Sequence, residues 1–163
     1  MIDILPRGLR PRGRKHDIKM MIDKEQKGEY HHSMSIQLRW MDADAFGHVN
    51  NTMYFQFYDT AKMEYFRTVC PGLVGKLAIV TVHIEADFMQ QVYTKEGEVT
   101  VQSAITHIGH SSFTIRQRLV GKDGEEKCVG ETIMVLYDTK KGEKVNFTPE
   151  WRAMIEDFEK RKL

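Results

Sequence analysis

Side chains able to do acid–base chemistry are concentrated in one short stretch of the chain, residues 39–51. It reads Arg-Trp-Met-Asp-Ala-Asp-Ala-Phe-Gly-His-Val-Asn-Asn, with two aspartates, one glycine, one histidine and two asparagines. A strongly apolar helical pattern begins directly after it. Because polar, titratable groups at the mouth of a buried helix cost folding energy, a functional role for this loop is a reasonable hypothesis.

The spacing of these groups fits chemistry at a carbonyl carbon. The start of a helix presents free N–H groups and a partial positive charge, which suits a carbonyl oxygen or a developing oxyanion. Asp44 precedes Asn51 by seven residues, so both are able to reach one carbonyl group. This pairing indicates acyl transfer or hydrolysis with the carboxylate as nucleophile or general base.

A purely structural interpretation of the loop is also open at this point. Turn formers and helix caps account for most of its polar residues, namely Asp42, Asp44, Gly47, Asn50 and Asn51. A lone histidine such as His48 is commonly a surface residue. Asp42 is interpreted as structural, binding groups within the loop.

Composition and motifs argue against several other classes of protein. There is no G-x-S-x-G motif, no Cys/His signature and no P-loop, which disfavours serine or cysteine hydrolases and NTPases. The two cysteines, Cys70 and Cys128, lack metal-site spacing, so we expect free thiols in a reducing compartment and no zinc or other metal. A net charge of +1 gives no argument for nucleic acid. No apolar run approaches the ~20 residues of a membrane span, which predicts a cytoplasmic protein.

The chain divides into a basic N-terminal segment and a single domain. Residues 1–32 are rich in Arg, Lys, Gly and Pro without an apolar period, which predicts a disordered extension outside the fold. A nucleic-acid-binding arm is the alternative interpretation. Residues 33–163 form the predicted domain, which is large enough to bury a core.

The domain pattern predicts one long helix followed by four strands and a short helix. Alternation at 34–38 predicts a first strand, and apolar residues from Tyr54 to Phe66 recur at helical spacing, with Asn50 or Asn51 as N-cap. The next strands are predicted at 80–88, from 99, at 112–120 and at about 127–138. Thr148 and Pro149 open a terminal helix. Consecutive strands with short turns predict an antiparallel sheet and the α+β class.

The loop and the start of the helix resemble a known family. The run Asp42-Ala-Asp44-Ala-Phe-Gly47-His48-Val-Asn50-Asn51-x-x-Tyr54 resembles hotdog-fold thioesterases of the 4-hydroxybenzoyl-CoA thioesterase type. It is also similar to acyl-ACP thioesterases, and the similarity covers about residues 33 to 160, including Ile108-Gly-His-Ser-Ser112 and the Asp123-Gly124 hairpin.

This resemblance implies a long central helix wrapped by a five-stranded antiparallel sheet, in a homodimer or tetramer. The substrate would be an acyl-CoA or acyl-ACP, entering at the dimer interface, with no cofactor beyond that carrier. It implies that Asp44 is the catalytic carboxylate, that the Asn51 N–H polarises the thioester carbonyl, and that His48 helps to position water or the carboxylate. The substrate-binding residues implied with them are Gly47, Asn50, Tyr54, Ser111 and Ser112.

Two other functions remain open for the same loop and helix start. A hotdog enoyl-thioester hydratase would also place a carboxylate near a helix N-terminus, although hydratases pair it with a close histidine in a different motif. A non-catalytic protein that binds acyl thioesters would use the cleft without hydrolysis.

Overall fold

The computed structural model describes residues 30–163, and the predicted basic extension lies outside the described residues except for Tyr30, His31 and His32. The chain forms strands β1 (His32–Gln37), β2 (Ala78–Phe88), β3 (Glu98–Ile108), β4 (Ser112–Val120), β5 (Glu126–Asp138) and β6 (Glu143–Lys144). Helix α1 spans Asn51–Val69 and helix α2 spans Pro149–Glu159. Single turns of 3-10 helix lie at Trp40–Asp42 and Thr94–Glu96.

The strands form one antiparallel sheet in the order β1-β3-β4-β5-β2, with the two-residue β6 paired to β5. The predicted α+β class, the long helix, the five main strands and the short terminal helix are therefore confirmed. β1 begins at His32, which is itself buried. The two edges of the sheet are β1 and β2.

Helix α1 packs across one face of the sheet with the aromatic face that the sequence predicted. One cluster of the core contains Tyr65 and Phe66 with Phe113, Ile115 and Leu136 of the sheet. A second cluster contains Tyr54, Phe57, Tyr58 and Ala61 with Val99, Val101 and Leu119. Because both clusters include α1, the helix is fixed along most of its length, and its N-terminus is held in place relative to the sheet.

The C-terminal end of α2 completes the β3 edge of the sheet. A register shift interrupts β3 between Ile105 and His107, and β1 pairs only as far as Ser103. The buried carboxylate of Glu159 accepts hydrogen bonds from the Ile105 backbone N–H at 2.8 Å and from the Tyr65 hydroxyl at 2.6 Å. Arg161 donates to the Ile105 carbonyl at 2.7 Å. Side chains of the C-terminal segment thus satisfy the backbone groups that a neighbouring strand would otherwise pair.

Strand β2 departs from the predicted alternation. The sequence predicts that Val80, Val82, Ile84 and Phe88 share one face, but the register shifts between Thr81 and His83 and leaves Val82 unpaired. Because directly paired residues share a face, Ile84 lies on the helix side, opposite buried Thr132, whereas Val80 lies on the other side. All four apolar side chains are at least 40% exposed.

Candidate active site

The loop between β1 and α1 is anchored by the carboxylate of Asp42, which is completely buried. It accepts hydrogen bonds from the Arg39 backbone N–H at 2.7 Å and from the Arg39 guanidinium at 3.1 Å. The Asp42 carbonyl also accepts from the Asn50 N–H at 2.9 Å. The predicted structural role of Asp42 is confirmed, since it ties the two ends of the loop together.

Asp44 opens a tight turn within this loop. The Gly47 N–H donates to the Asp44 carbonyl at 3.1 Å, and Gly47 has a φ of +79°, which favours glycine. Oδ1 of Asp44 accepts from the backbone N–H groups of Phe46 (2.8 Å) and His48 (3.1 Å). These two bonds fix the carboxylate and leave its second oxygen, Oδ2, to face other partners.

His48 lies beside that second oxygen without a direct hydrogen bond to it. Its Nδ1 is 3.9 Å from Asp44 Oδ2, beyond hydrogen-bonding distance. The imidazole ring packs edge-on against Tyr93, with 4.7 Å between ring centroids. The position of His48 is therefore set by the loop and by Tyr93, and it is close enough for a bridging water.

The start of α1 supplies a free amide in the same region. Asn50 is the N-cap, and its Oδ1 accepts from both the N–H and the hydroxyl of Thr52, each at 3.0 Å. Within residues 30–163, no group accepts a hydrogen bond from the Asn51 backbone N–H. This N–H stands at the positive end of a 19-residue helix and is available to a carbonyl oxygen.

These groups line one cleft of about 610 Å³. Of the predicted site residues it contains Asp44, His48, Asn50, Asn51 and Tyr54. Burial raises the pKa of the Tyr54 phenol to about 12, so this group stays protonated at neutral pH and acts as a donor or a wall.

Three predicted substrate-binding residues do not line the cleft. Gly47 forms the turn behind Asp44. Ser111 and Ser112 lie at the start of β4, whereas the cleft lies near its other end, where Leu119 pairs with Cys128 and Cys128 pairs with Phe88. A nine-residue strand spans roughly 27 Å, so the fold does not bring the two serines to Asp44 of the same chain.

Sequence reasoning missed the opposite wall of the cleft. That wall is the end of β2 and the segment after it, with Phe88, Met89, Gln90 and Gln91 lining the cleft. Val49, in the loop before α1, is a further lining residue that was not predicted. The Val49 N–H donates to the Val92 carbonyl at 2.8 Å, and the Phe88 ring packs edge-on against Tyr54 with centroids 5.2 Å apart. The alternation of β2 stops at Gln90-Gln91, which signals a loop but not that it folds back on the helix start.

The remaining candidate groups lie outside the cleft. Asp59 is exposed on α1 and forms an ion pair with the buried Lys62. In the part of the chain that the structure describes, no three His, Cys, Asp or Glu residues cluster as a metal site would require. Across the same residues, no helix is long and apolar enough to cross a membrane.

Comparison with known proteins agrees with this fold. Residues 38–155 match the thioesterase-like superfamily. A thioesterase from Thermus thermophilus, solved with coenzyme A and zinc, is 24% identical with a TM-score of 0.73, covering 85% of this chain and all of that one. A predicted thioesterase from Bacillus stearothermophilus is 26% identical with a TM-score of 0.70, covering 78% and 95% of the two chains.

A sequence relative is YsmA of Bacillus subtilis, an uncharacterized protein, which is 25% identical over 133 residues. The aligned region covers 81% of this chain and 90% of the relative. The likeness in structure confirms the hotdog fold, and the match covers the loop, the long helix and the whole sheet after β1. The chain belongs to the thioesterase-like superfamily.

Proposed function

We propose that the protein hydrolyses the thioester of an acyl-CoA or of an acyl carrier protein to a free acid and a thiol. One observation carries the proposal: the free oxygen of the Asp44 carboxylate and the free N–H of Asn51 belong to the same cleft. These are the two groups that attack on a carbonyl carbon requires, an electron-rich oxygen and a donor for the oxyanion.

The chemistry assigned to each group follows from its contacts. The thioester carbonyl oxygen would accept from the Asn51 N–H, where the helix dipole stabilises the developing negative charge. Asp44 Oδ2 would then attack the carbonyl carbon and expel the thiolate, giving an anhydride that water cleaves. Alternatively, Oδ2 removes a proton from a water that attacks directly. Both routes end in an acid and a thiol, and neither requires a cofactor.

His48 has a supporting part in this proposal. At 3.9 Å, His48 Nδ1 and Asp44 Oδ2 are too close for a water between them, but one water beside the pair could hydrogen-bond to both, and His48 would help to orient it. We therefore expect replacement of His48 to slow hydrolysis less than replacement of Asp44.

The test is thiol release from a panel of short, long and aromatic acyl-CoAs, followed by acyl-carrier-protein substrates. Asp44→Asn keeps the oxygen that accepts from Phe46 and His48, so the turn should persist. We expect turnover to fall by at least about a hundredfold, as for other single acid–base groups. Asp157→Asn, on the exposed side of α2, is the matched control. Undiminished turnover by the Asp44 variant would refute the mechanism.

We also propose that the protein is a homodimer joined through the β2 edge. The exposed apolar side chains Val82 and Ile84 accompany an unpaired strand edge, which soluble proteins normally cover. Antiparallel pairing of two β2 strands would bring the Ser111–Ser112 end of one sheet towards the cleft of the other protomer. Light scattering at micromolar concentration should give the mass of a dimer. In Ile84→Lys the measured mass should fall towards that of the monomer. A monomeric wild-type protein would contradict this proposal.

A further inference from the structure

In the cleft wall that faces the start of α1, Met89 and Gln90 are both held by one residue of β5, Lys127. The backbone N–H groups of Met89 and Gln90 both donate to the Lys127 carbonyl, at 2.9 and 3.1 Å. The Lys127 ammonium in addition donates to Gln90 Oε1 at 3.0 Å. Lys127 therefore accepts two hydrogen bonds from the backbone of the wall segment and donates one to the side chain of Gln90.

The side chain of Lys127 is buried to a degree that closure of a hairpin does not explain. It is 5% exposed and forms an ion pair of 2.5 Å with Asp123 in the turn between β4 and β5. Its stem passes directly over Gly121, where the Cβ atom of any other residue would clash with Lys127 Cε. Burial of an ammonium group is costly, and an exposed pair would close the same turn. The arrangement places the ammonium between Asp123 and Gln90, so that one buried charge binds both side chains.

The chemistry of the contact fixes which way the Gln90 amide faces. An ammonium group has three donors and no acceptor, so it must meet the amide oxygen of Gln90 and not the NH2 group. Gln90 is exposed and lines the cleft. No acceptor for its NH2 group lies within the described part of the chain. The amide thus offers the cleft a donor that is free to bind a substrate oxygen.

The composition of the wall indicates which oxygen this is. Phe88 and Met89 form an apolar part beside Tyr54, which suits an acyl group. Gln90 and Gln91 form the polar part. The arm that carries the thiol in CoA and in acyl carrier proteins contains amide carbonyl oxygens, whereas a simple acyl group has none beyond the thioester.

On the basis of the proposed thioesterase function, we propose that Gln90 donates a hydrogen bond to an amide carbonyl of the thiol arm, and that Lys127 and Asp123 are positioning residues for it. The site would therefore select thioesters by the amide-bearing arm. Gln90 would contribute to binding of that arm and not to the chemical step.

The test compares two thioesters of the same acid, one with CoA and one with ethanethiol, which has no amide. Gln90→Leu removes the donor, and Gln90→Glu removes it while keeping an acceptor for Lys127, so the wall should stay in place. We expect both variants to raise KM for the CoA ester about five- to tenfold, as for one lost hydrogen bond, with kcat within about twofold. The kcat/KM for the ethyl thioester should not change.

Lys127→Met tests the positioning role. It should also raise KM for the CoA ester. In the Lys127→Met background, Gln90→Leu should raise that KM by a smaller factor than it does in the wild-type protein, because the two residues act as a unit. If the variants changed kcat/KM equally for the CoA ester and the ethyl thioester, the wall would be merely structural and the proposal would be overturned. An unchanged KM in the Gln90 variants, or a change in Gln90→Glu alone, would also overturn it.

Calorimetric titration with CoA separates this inference from the proposed hydrolysis. In the Asp44→Asn background, Gln90→Leu should weaken CoA binding by about the same five- to tenfold factor. If the wild-type protein binds CoA in this way but hydrolyses no thioester, the hydrolytic proposal fails and the role of Gln90 stands. If CoA binding is equal with and without the Gln90 side chain, the inference fails regardless of turnover.

Discussion

Removal of the Glu159 carboxylate should destabilise the protein more than the loss of most single side chains. In Glu159→Ala the Ile105 N–H and the Tyr65 hydroxyl both lose their acceptor inside the protein. Each unsatisfied buried group costs about 1–3 kcal/mol. Arg161 also loses the carboxylate that lies 3.8 Å from its guanidinium. Relief from burying the carboxylate offsets part of this, so we expect the free energy of unfolding to fall by about 3–5 kcal/mol, as for other broken buried pairs.

Glu159→Gln is the matched variant for this prediction. The amide keeps an oxygen at the position that accepts from Ile105 and Tyr65, and it loses only the charge opposite Arg161. We expect Glu159→Gln to lower the free energy of unfolding by about 1 kcal/mol, within the range of one modest electrostatic contact. Tyr65→Phe should lie between the two, because it removes one hydrogen bond to a charged group, worth about 1.5–3 kcal/mol.

The assay is urea unfolding followed by circular dichroism at one fixed protomer concentration, since association would shift the apparent stability. Burial, with the nearby Glu159 carboxylate, raises the pKa of the Tyr65 phenol, so the hydroxyl remains a donor throughout the neutral range. Two results would refute this prediction: Glu159→Ala is as stable as the wild type, or Glu159→Gln lowers the free energy of unfolding as much as Glu159→Ala does. In either case the hydrogen bonds at Ile105 and Tyr65 do not stabilise the contact between α2 and β3.

Three further predictions concern the thiols and the second helix. Burial raises the pKa of Cys70 and Cys128 to about 11, so neither thiol should react with Ellman's reagent at pH 8 in the folded protein. Both should react once the protein unfolds. Rapid reaction of the folded protein would contradict this prediction. Because these thiols ionise from about 9 when exposed, the unfolded state loses protons first, and stability should decline as pH rises from about 9 towards 11. Thr148→Ala should lower the free energy of unfolding by about 1 kcal/mol, because its hydroxyl caps the Trp151 N–H. Thr148→Ser should retain most of the stability, because serine keeps the hydroxyl. An equal fall in the free energy of unfolding in both variants would exclude the cap as the cause.

Local features of the fold could be predicted from the sequence because each depends on residues close together in the chain. The aromatic spacing from Tyr54 to Phe66 depends only on helical geometry, and it identified α1. Asn50 and Thr148 both cap the helices that follow them, as their positions predict. The Asp44–Asn51 pair was also predictable, since a single loop and helix start bring the two residues into one cleft.

Features that depend on distant pairing were not predictable in the same way. The irregularity at Val82 changes the face of every residue on one side of it, and nothing in the alternation of β2 reveals the extra residue. The contact between Gln90 and Lys127 joins residues 37 positions apart and requires β2 to lie beside β5. Ser111 and Ser112 belong to a separate segment of the family resemblance and lie at the end of β4 that is far from the cleft, because sequence similarity does not specify which end of a strand adjoins the site.

The Glu159 and Arg161 contacts with Ile105 have a consequence for the order of events during synthesis. Ile105 emerges from the ribosome well before residues 159 and 161, and until then its N–H and carbonyl groups on the β1 side have no partner from α2. Domains generally fold as units, and this sheet edge cannot be completed until Glu159 and Arg161, more than 50 positions further along the chain, are available. A nascent chain arrested before Glu159 should therefore expose the β3 edge to other strands, so this edge is protected from aggregation only after residues 159 and 161 have been synthesised.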